Sequence, residues 1–223
     1  MKTLKIAAFA LMGVASASVF AQQNTVRLGL INLGIHAESP DFTSNGPAFL
    51  TPQPAGLTVG NATTVLFGYT RKLNDHFDID VVAGLPPQHD VFGRGTLAPY
   101  GITAKVKQRA PTVFLNYNFG SASNKFRPFV GLGLNYTQFF DATSTPVGDI
   151  ATGGPTKISL SESFGVAAQV GLTYKIDEKW SVTSSLATAD VKSNMVATTG
   201  SIERKTRINF RPVVFTMGVG YSF

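Results

Sequence analysis

The chain has 223 residues, no cysteine and a formal charge of +6, a length suited to one large domain or two small ones. Without cysteine there are neither disulfides nor thiolate-bound metal, so the fold must hold without covalent staples. The modest positive excess forms no basic cluster interleaved with exposed aromatics, which argues against nucleic acid as a partner.

The opening segment, "MKTLKIAAFALMGVASASVFAQQ", sets Lys2 and Lys5 before an apolar run that ends in small residues. That is the form of a bacterial secretory signal, with cleavage expected near Ala21. Gly13, Ser16 and Ser18 break the run, which is also too short for a membrane helix. Residues 1–21 are therefore expected to be a cleaved signal peptide and 22–223 a single domain. For an exported chain, the positive excess points to an anionic envelope surface.

Beyond the signal no apolar run reaches helix-spanning length, and the pattern repeats every second residue, as in a two-faced strand. A first strand is expected near Thr25–Ile35. A long link bearing Pro40, Pro47, Pro52 and Pro54 leads to "NATTVLFGYT", where Val65, Phe67 and Tyr69 share a face. In "FDIDVVAGL", Phe77, Ile79, Val81, Ala83 and Leu85 alternate with Asp78, Asp80, Val82 and Gly84. In "PTVFLNYNF", Val113, Leu115, Tyr117 and Phe119 oppose Thr112, Phe114, Asn116 and Asn118.

"KFRPFVGLGLNYTQFF" divides the same way. Pro128, Val130, Leu132, Leu134, Tyr136 and Phe140 fall on one face. Arg127, Phe129, Gly131, Gly133, Asn135, Thr137 and Phe139 fall on the other. "FGVAAQVGLTYKI", "WSVTSSLAT" and the closing "VVFTMGVGYSF" complete eight strands. Links alternate in length: "RKLNDH", "GSASNK" and "DEK" are short, whereas those near 86–101, 141–160 and 193–206 are long.

A water-soluble sandwich or lipocalin-like barrel would also alternate, but it would bury its large apolar face. Here the opposite face is mostly Gly, Ser, Thr, Asn and Ala, too small to fill a sealed core. Exposed to water, the large face would be one continuous apolar patch. Lipid removes both objections. The expected fold is all-β: an eight-stranded antiparallel transmembrane β-barrel with long extracellular loops and short periplasmic turns. Phe77, Tyr117, Phe119, Phe126, Tyr174, Trp180, Tyr221 and Phe223 gather near the short turns as an interfacial aromatic girdle.

The stretch "FGSASNKFRPFVGLGLNYTQFFD", preceded by "APTVFLNYNFG" and followed by "SFGVAAQVGLTYKI", Trp180 and "PVVFTMGVGYSF", resembles the OmpW family of small outer-membrane proteins. The resemblance implies a narrow outer-membrane channel for passive uptake of small hydrophobic molecules, with lateral exit into the bilayer. It also implies lipid and lipopolysaccharide as surroundings, and recognition of the terminal Phe223 by the assembly machinery. Some relatives act instead as surface receptors through their loops. Bulky inward residues on strands three and seven narrow the lumen in relatives. The matching positions here, Val82 and Ala187, are small.

Eight strands enclose a space that side chains nearly fill, which excludes a wide aqueous pore. Phe114, Phe129 and Phe139 share the inward parity and either meet a nonpolar ligand or fill the lumen. Asp78 and Asp80 lie two apart on the inward face. They are read as a lumen plug with Arg27 or Arg127 in preference to an acid–base pair. Lys105, Lys107 and Arg109, and at comparable height Arg204, Lys205, Arg207 and Arg211, are expected on an outer rim facing lipopolysaccharide phosphates or solvent.

His36, His76 and His89 are scattered without ligand spacing, so no metal site and no cofactor are expected. A lipid-modifying enzyme would need a His with Ser or acidic partners at the outer rim. Only His36 and His89 lie near it, and neither sits in a catalytic motif, so the chain is not read as an enzyme.

Overall fold

The computed structural model describes residues 24–46 and 54–223; the signal read at 1–21 lies outside them. The first half of the chain forms β1 Asn24–Ile35, β2 Thr43–Ser44, β3 Ala55–Val59, β4 Ala62–Lys72, β5 Phe77–Gly84, β6 Gln88–Gly95, β7 Ile102–Arg109 and β8 Thr112–Asn118. The second half forms β9 Phe126–Ser144, α1 Pro146–Thr152, β10 Thr156–Leu160, β11 Ser163–Lys175, β12 Trp180–Ala189, β13 Lys192–Thr199, β14 Ile202–Asn209 and β15 Pro212–Ser222.

Eight of these strands close on themselves. Their order is β1, β4, β5, β8, β9, β11, β12 and β15, with β15 pairing back onto β1, all antiparallel. Closure leaves no unpaired edge, the condition for a sheet to stand in hydrocarbon. The two chain ends meet at one rim, where Phe223 N donates to the Asn24 carbonyl at 2.9 Å.

Short turns at that rim are held by side-chain caps. Asn74 Oδ1 accepts from His76 N and Phe77 N at 2.9 and 2.8 Å. Asp177 Oδ1 accepts from Lys179 N and Trp180 N at 2.8 and 2.7 Å. These are Asx turns, in which a short side chain imitates a backbone turn. The donated bonds, the Trp180 N–H foremost, hold the Asp177 carboxyl below the usual carboxylate range.

The alternation is seen directly in exposure. Leu28, Leu30, Phe67, Leu115, Leu132, Val166 and Met217 stand outward and exposed, while Leu66, Phe114, Asn116, Gln169 and Thr216 are buried inside.

The long connections are not open loops; most of their length is strand. β6 and β7 form a hairpin above β5 and β8, and β13 and β14 form one above β12 and β15. β9 runs on to pair with β7 and, at Thr143, with β10. The segment after β1 bonds on one side to β3, through Ser39 N to the Leu57 carbonyl at 2.9 Å. On its other side, through β2, it pairs with β14. A second ring therefore stands on the first. Its interior is apolar, built from Leu57, Val59, Val91, Val106, Met195, Ile208 and Phe210.

α1 lies over this upper ring. Thr145 caps it, accepting from Gly148 N at 3.0 Å, and Gly153 closes it at φ 86°. A β-carbon on Gly148 would lie 2.0 Å from the Thr103 carbonyl oxygen, so glycine lets the helix rest directly on β7. Arg204, expected on the outer rim, instead points inside. It is buried and donates to Thr199 Oγ1 and the Thr152 carbonyl, each at 3.1 Å. It sits on the inward parity of β14, where it anchors the end of α1.

Candidate functional site

The interior of the two rings divides into chambers of different chemistry. At mid-height lies a cavity of about 100 Å³, walled by Ile31, Leu33, Ile35, Val82, Phe114, Ala187, Val191 and Phe210 among others. Above it, inside the upper ring, are voids of about 10 and 50 Å³, walled mainly by aliphatic side chains, the larger one closed on top by α1. Below it, toward the short-turn rim, is a polar cavity of about 160 Å³ containing Arg27, Asp78, Asp80, Asn118, Arg127 and Lys175.

A layer of paired polar side chains separates the middle and lower chambers. Arg27 Nη2 donates to both carboxylate oxygens of Asp80, at 2.5 and 2.7 Å, and Thr70 Oγ1 donates to Asp80 at 2.8 Å. Asp78 accepts from Asn116 Nδ2 at 2.9 Å and from Asn118 Nδ2 at 2.5 Å. Gln169 Nε2 completes the crossing by donating to Asn116 Oδ1 at 2.8 Å. The chain of bonds links β1 and β4 to β5, and β5 through β8 to β11, across the lumen. Buried polar side chains of this kind are tolerable because each is bonded to a partner, although Arg27 Nε itself has none among the described residues.

Glycine makes the crossing possible. A β-carbon on Gly131 would sit 2.1 Å from Asn116 Oδ1, so any larger residue would displace the amide from the layer.

The candidate residues therefore fall in different places. Val82, Phe114 and Ala187 line the apolar mid-barrel cavity. Phe129 lies one level lower, in the polar chamber, where its ring fills the space above Gly171. Phe139 lies one level higher, stacked on Phe210 with ring centroids 4.8 Å apart. Arg27 and Asp80 form an ion pair that is almost fully buried.

Arg127 makes no ion pair with either aspartate. Its guanidinium donates to the Asp75 carbonyl at the neighbouring turn, because Asp78 is already engaged by two asparagines from β8. Alternation puts Asn116 and Asn118 inside without giving them a role, and Gln169 shares the inward parity of its own strand. Amides at inward positions among glycines and alanines were the available signal.

The ladder between neighbouring strands lapses at one height. β5 pairs with β8 only up to Val82 and Thr112, and β6 meets β7 from Gln88 and Lys107 upward. Pro86 and Pro111 fall in this interval and bring no backbone donor to it; it ends above where Gln108 N donates to the Pro87 carbonyl at 3.2 Å. The mid-barrel cavity reaches this seam, since Ala83, Gly84, Pro87, Arg109, Ala110 and Thr112 belong to its wall. Among the described residues no group of three or more His, Asp or Glu side chains could hold a metal ion.

The profile of the OmpW family matches residues 23–223. Outer membrane protein W of Escherichia coli (strain K12) is 32% identical over 232 residues, covering all of both chains. The dibenzothiophene metabolism operon protein PahQ of Pseudomonas aeruginosa is 28% identical over 200 residues, 89% of this chain and 88% of that one. Among solved structures, the outer membrane protein OprG from Pseudomonas aeruginosa superposes with a TM-score of 0.80 at 27% identity, over 91% of this chain and 96% of its own. With a closed eight-stranded barrel whose aliphatic face is turned outward, these likenesses assign the chain: it belongs to the OmpW family and is a β-barrel protein of the bacterial outer membrane.

Proposed function

We propose that the protein is a passive channel for small hydrophobic molecules, which enter through the upper ring and leave sideways into the bilayer. The observation that carries this reading is the order of chambers along the axis. Below the Arg204 anchor at the end of α1, mainly apolar walls run down to the mid-barrel cavity and end on the Arg27–Asp80–Asp78–Asn116–Gln169 layer.

A nonpolar solute gains roughly 25 cal/mol for each Å² taken out of water, and it would lose this on entering the polar chamber. The seam between β5 and β8 offers another way out, and lipid lies beyond it. The mid-barrel cavity, at about 100 Å³, is smaller than the roughly 150 Å³ void that holds benzene. A narrow or flexible chain therefore fits better than a rigid polycycle.

The outward Lys105 and Lys107 are partly held by Asp90 and Asp141, at 4.0 and 3.2 Å. We read them, with Arg109, as facing lipopolysaccharide phosphates, and Phe223 as the mark read by the assembly machinery. The test of the main reading is the initial rate of labelled dodecane uptake by cells that express or lack the protein. Uptake is expected to fall severalfold without it and also when the seam is closed by a Gly84–Ala110 cysteine crosslink, recovering on reduction. Equal uptake with and without the protein overturns the reading.

A further inference from the structure

One side chain in the apolar column is out of keeping with its surroundings. His89 lies on the inward face of β6, opposite Val106 of β7, and is only 2% exposed. Two residues above it on the same face, Val91 belongs to the wall of the 10 Å³ void, as does Val106. Two residues below it, Pro87 belongs to the mid-barrel wall, as does Gln108. Phe210 borders both spaces. His89 thus lies at a height between the two chambers, packed behind the residues that wall them, so a solute reaches its ring only as those neighbours part.

The protonation of the ring follows from its contacts. Nδ1 is 2.8 Å from the Gly60 carbonyl oxygen. A carbonyl oxygen can only accept, so Nδ1 carries the hydrogen, and in the neutral ring Nε2 is a bare acceptor. Burial pushes the His89 pKa down, against the opposing pull of the Gly60 bond and of Asp90 on the outward side of the same strand. Nε2 is buried and has no hydrogen-bond partner among the described residues. An acceptor left so in an apolar setting is costly, and the cost is relieved by any group that brings a donor.

We propose that His89 is a specificity-determining residue of the channel: its Nε2 accepts a hydrogen bond from the hydroxyl or N–H of an otherwise apolar solute, favouring long-chain alcohols over the parent hydrocarbons. This inference rests on the channel reading and names the class of cargo within it. A solute with a carbonyl alone gains nothing, because two acceptors do not pair. The ligand class is therefore set by the donor and not by polarity in general.

Uptake of labelled octane, 2-octanone and 1-octanol is compared in cells lacking the protein and in cells expressing it or its variants. The protein-dependent rate for 1-octanol relative to octane is expected to drop about threefold to tenfold in His89→Leu, the range of one neutral hydrogen bond. His89→Gln, which can present a carbonyl oxygen, is expected to recover part of the preference. The ratio of 2-octanone to octane should stay the same in all three proteins.

Because His89→Leu disturbs a buried bond to Gly60, a second measurement uses the unaltered protein. In micelles, the unprotonated ring nitrogen of ¹⁵N-labelled His89 should shift with 1-octanol and not with octane. An unchanged octanol preference in His89→Leu, or a resonance indifferent to 1-octanol, overturns the inference while the channel reading stands. Uptake of all three solutes independent of the protein overturns both.

Discussion

The two rings share one long strand, β9, and obey opposite rules. In the lower ring most aliphatic and aromatic residues point outward, and the lower part of the interior is glycine, small polar residues and one paired ionic layer. In the upper ring the aliphatic residues point inward, and Lys105, Lys107, Asn194 and Lys205 point outward. The exchange takes place within single stretches of chain. From 104 to 108, Ala104, Val106 and Gln108 are inside. From 113 to 117, Val113, Leu115 and Tyr117 are outside and exposed. The chain reverses its apolar face where the outer solvent changes from lipid to water, and the apolar lining of the upper ring then continues into the middle of the lower one. The second ring is therefore a small barrel with a water-facing exterior standing on a membrane barrel, and it carries an apolar interior up through the hydrated surface.

The largest way to break the lower ring's rule is at its ionic layer. Arg27→Leu would leave Asp80 buried without its counter-charge, and removal of one partner of such a pair costs about 3–5 kcal/mol. The double variant Arg27→Leu/Asp80→Leu should recover most of that, because two apolar groups can replace a buried pair. Urea unfolding of the barrel in lipid vesicles measures both; a double variant as unstable as the single one would show that the layer is held by more than the pair.

Next comes the outer face. Leu132 is 74% exposed on the outside of β9, so Leu132→Arg should cost about 2–4 kcal/mol if it lies near the bilayer midplane. Lys205→Leu, on the outside of the upper ring, should change stability by less than about 0.5 kcal/mol. Comparable losses at the two sites would remove the distinction between the rings.

The lower ring was legible because each spanning strand keeps one parity over many residues, and lipid rewards that parity on one side alone. Even Arg27 and Asp80 could be placed, since both fall on inward positions near the same rim. The upper ring was not legible as strand for a physical reason. At 104–109 and 192–209 the large residues change sides while polar and charged residues take the outer positions, so a reader following one apolar face sees the pattern end. Arg204 was misplaced for the same cause: a charge at the height of the rim looks exposed unless the reversal of faces is known. The pairing of Asp78 with Asn116 and Asn118 depended on which strands are neighbours and at what register, which alternation alone does not supply.

A smaller effect separates the rings by pH. His89 belongs to the upper ring, outside the membrane, and burial lowers its pKa when folded below the ordinary value near 6.5. A histidine depressed in the folded state binds fewer protons there than when unfolded. Stability is therefore unaffected well above pH 6.5 and declines as pH falls from that value toward the folded pKa. Amide exchange in β3, β6 and β7 should accelerate in this interval, and His89→Phe should abolish that dependence. Protection in β1, β12 and β15 should not change with it.

The smallest effect tests whether the upper ring has its own cooperative behaviour. Thr145 does two things through one hydroxyl: it accepts from Gly148 N at 3.0 Å and donates to the Ile102 carbonyl at 2.7 Å, tying the start of α1 to β7. Thr145→Ala removes both and should cost about 1 kcal/mol, whereas Thr145→Ser keeps the oxygen and should cost little. If the rings open independently, that loss appears as roughly fivefold faster exchange in α1 and adjoining β7, with no change at Leu115 or Val219 in the lower ring. If exchange rises equally in both, the two rings unfold as one unit, and the reversal of faces marks a change of solvent without marking a boundary of stability.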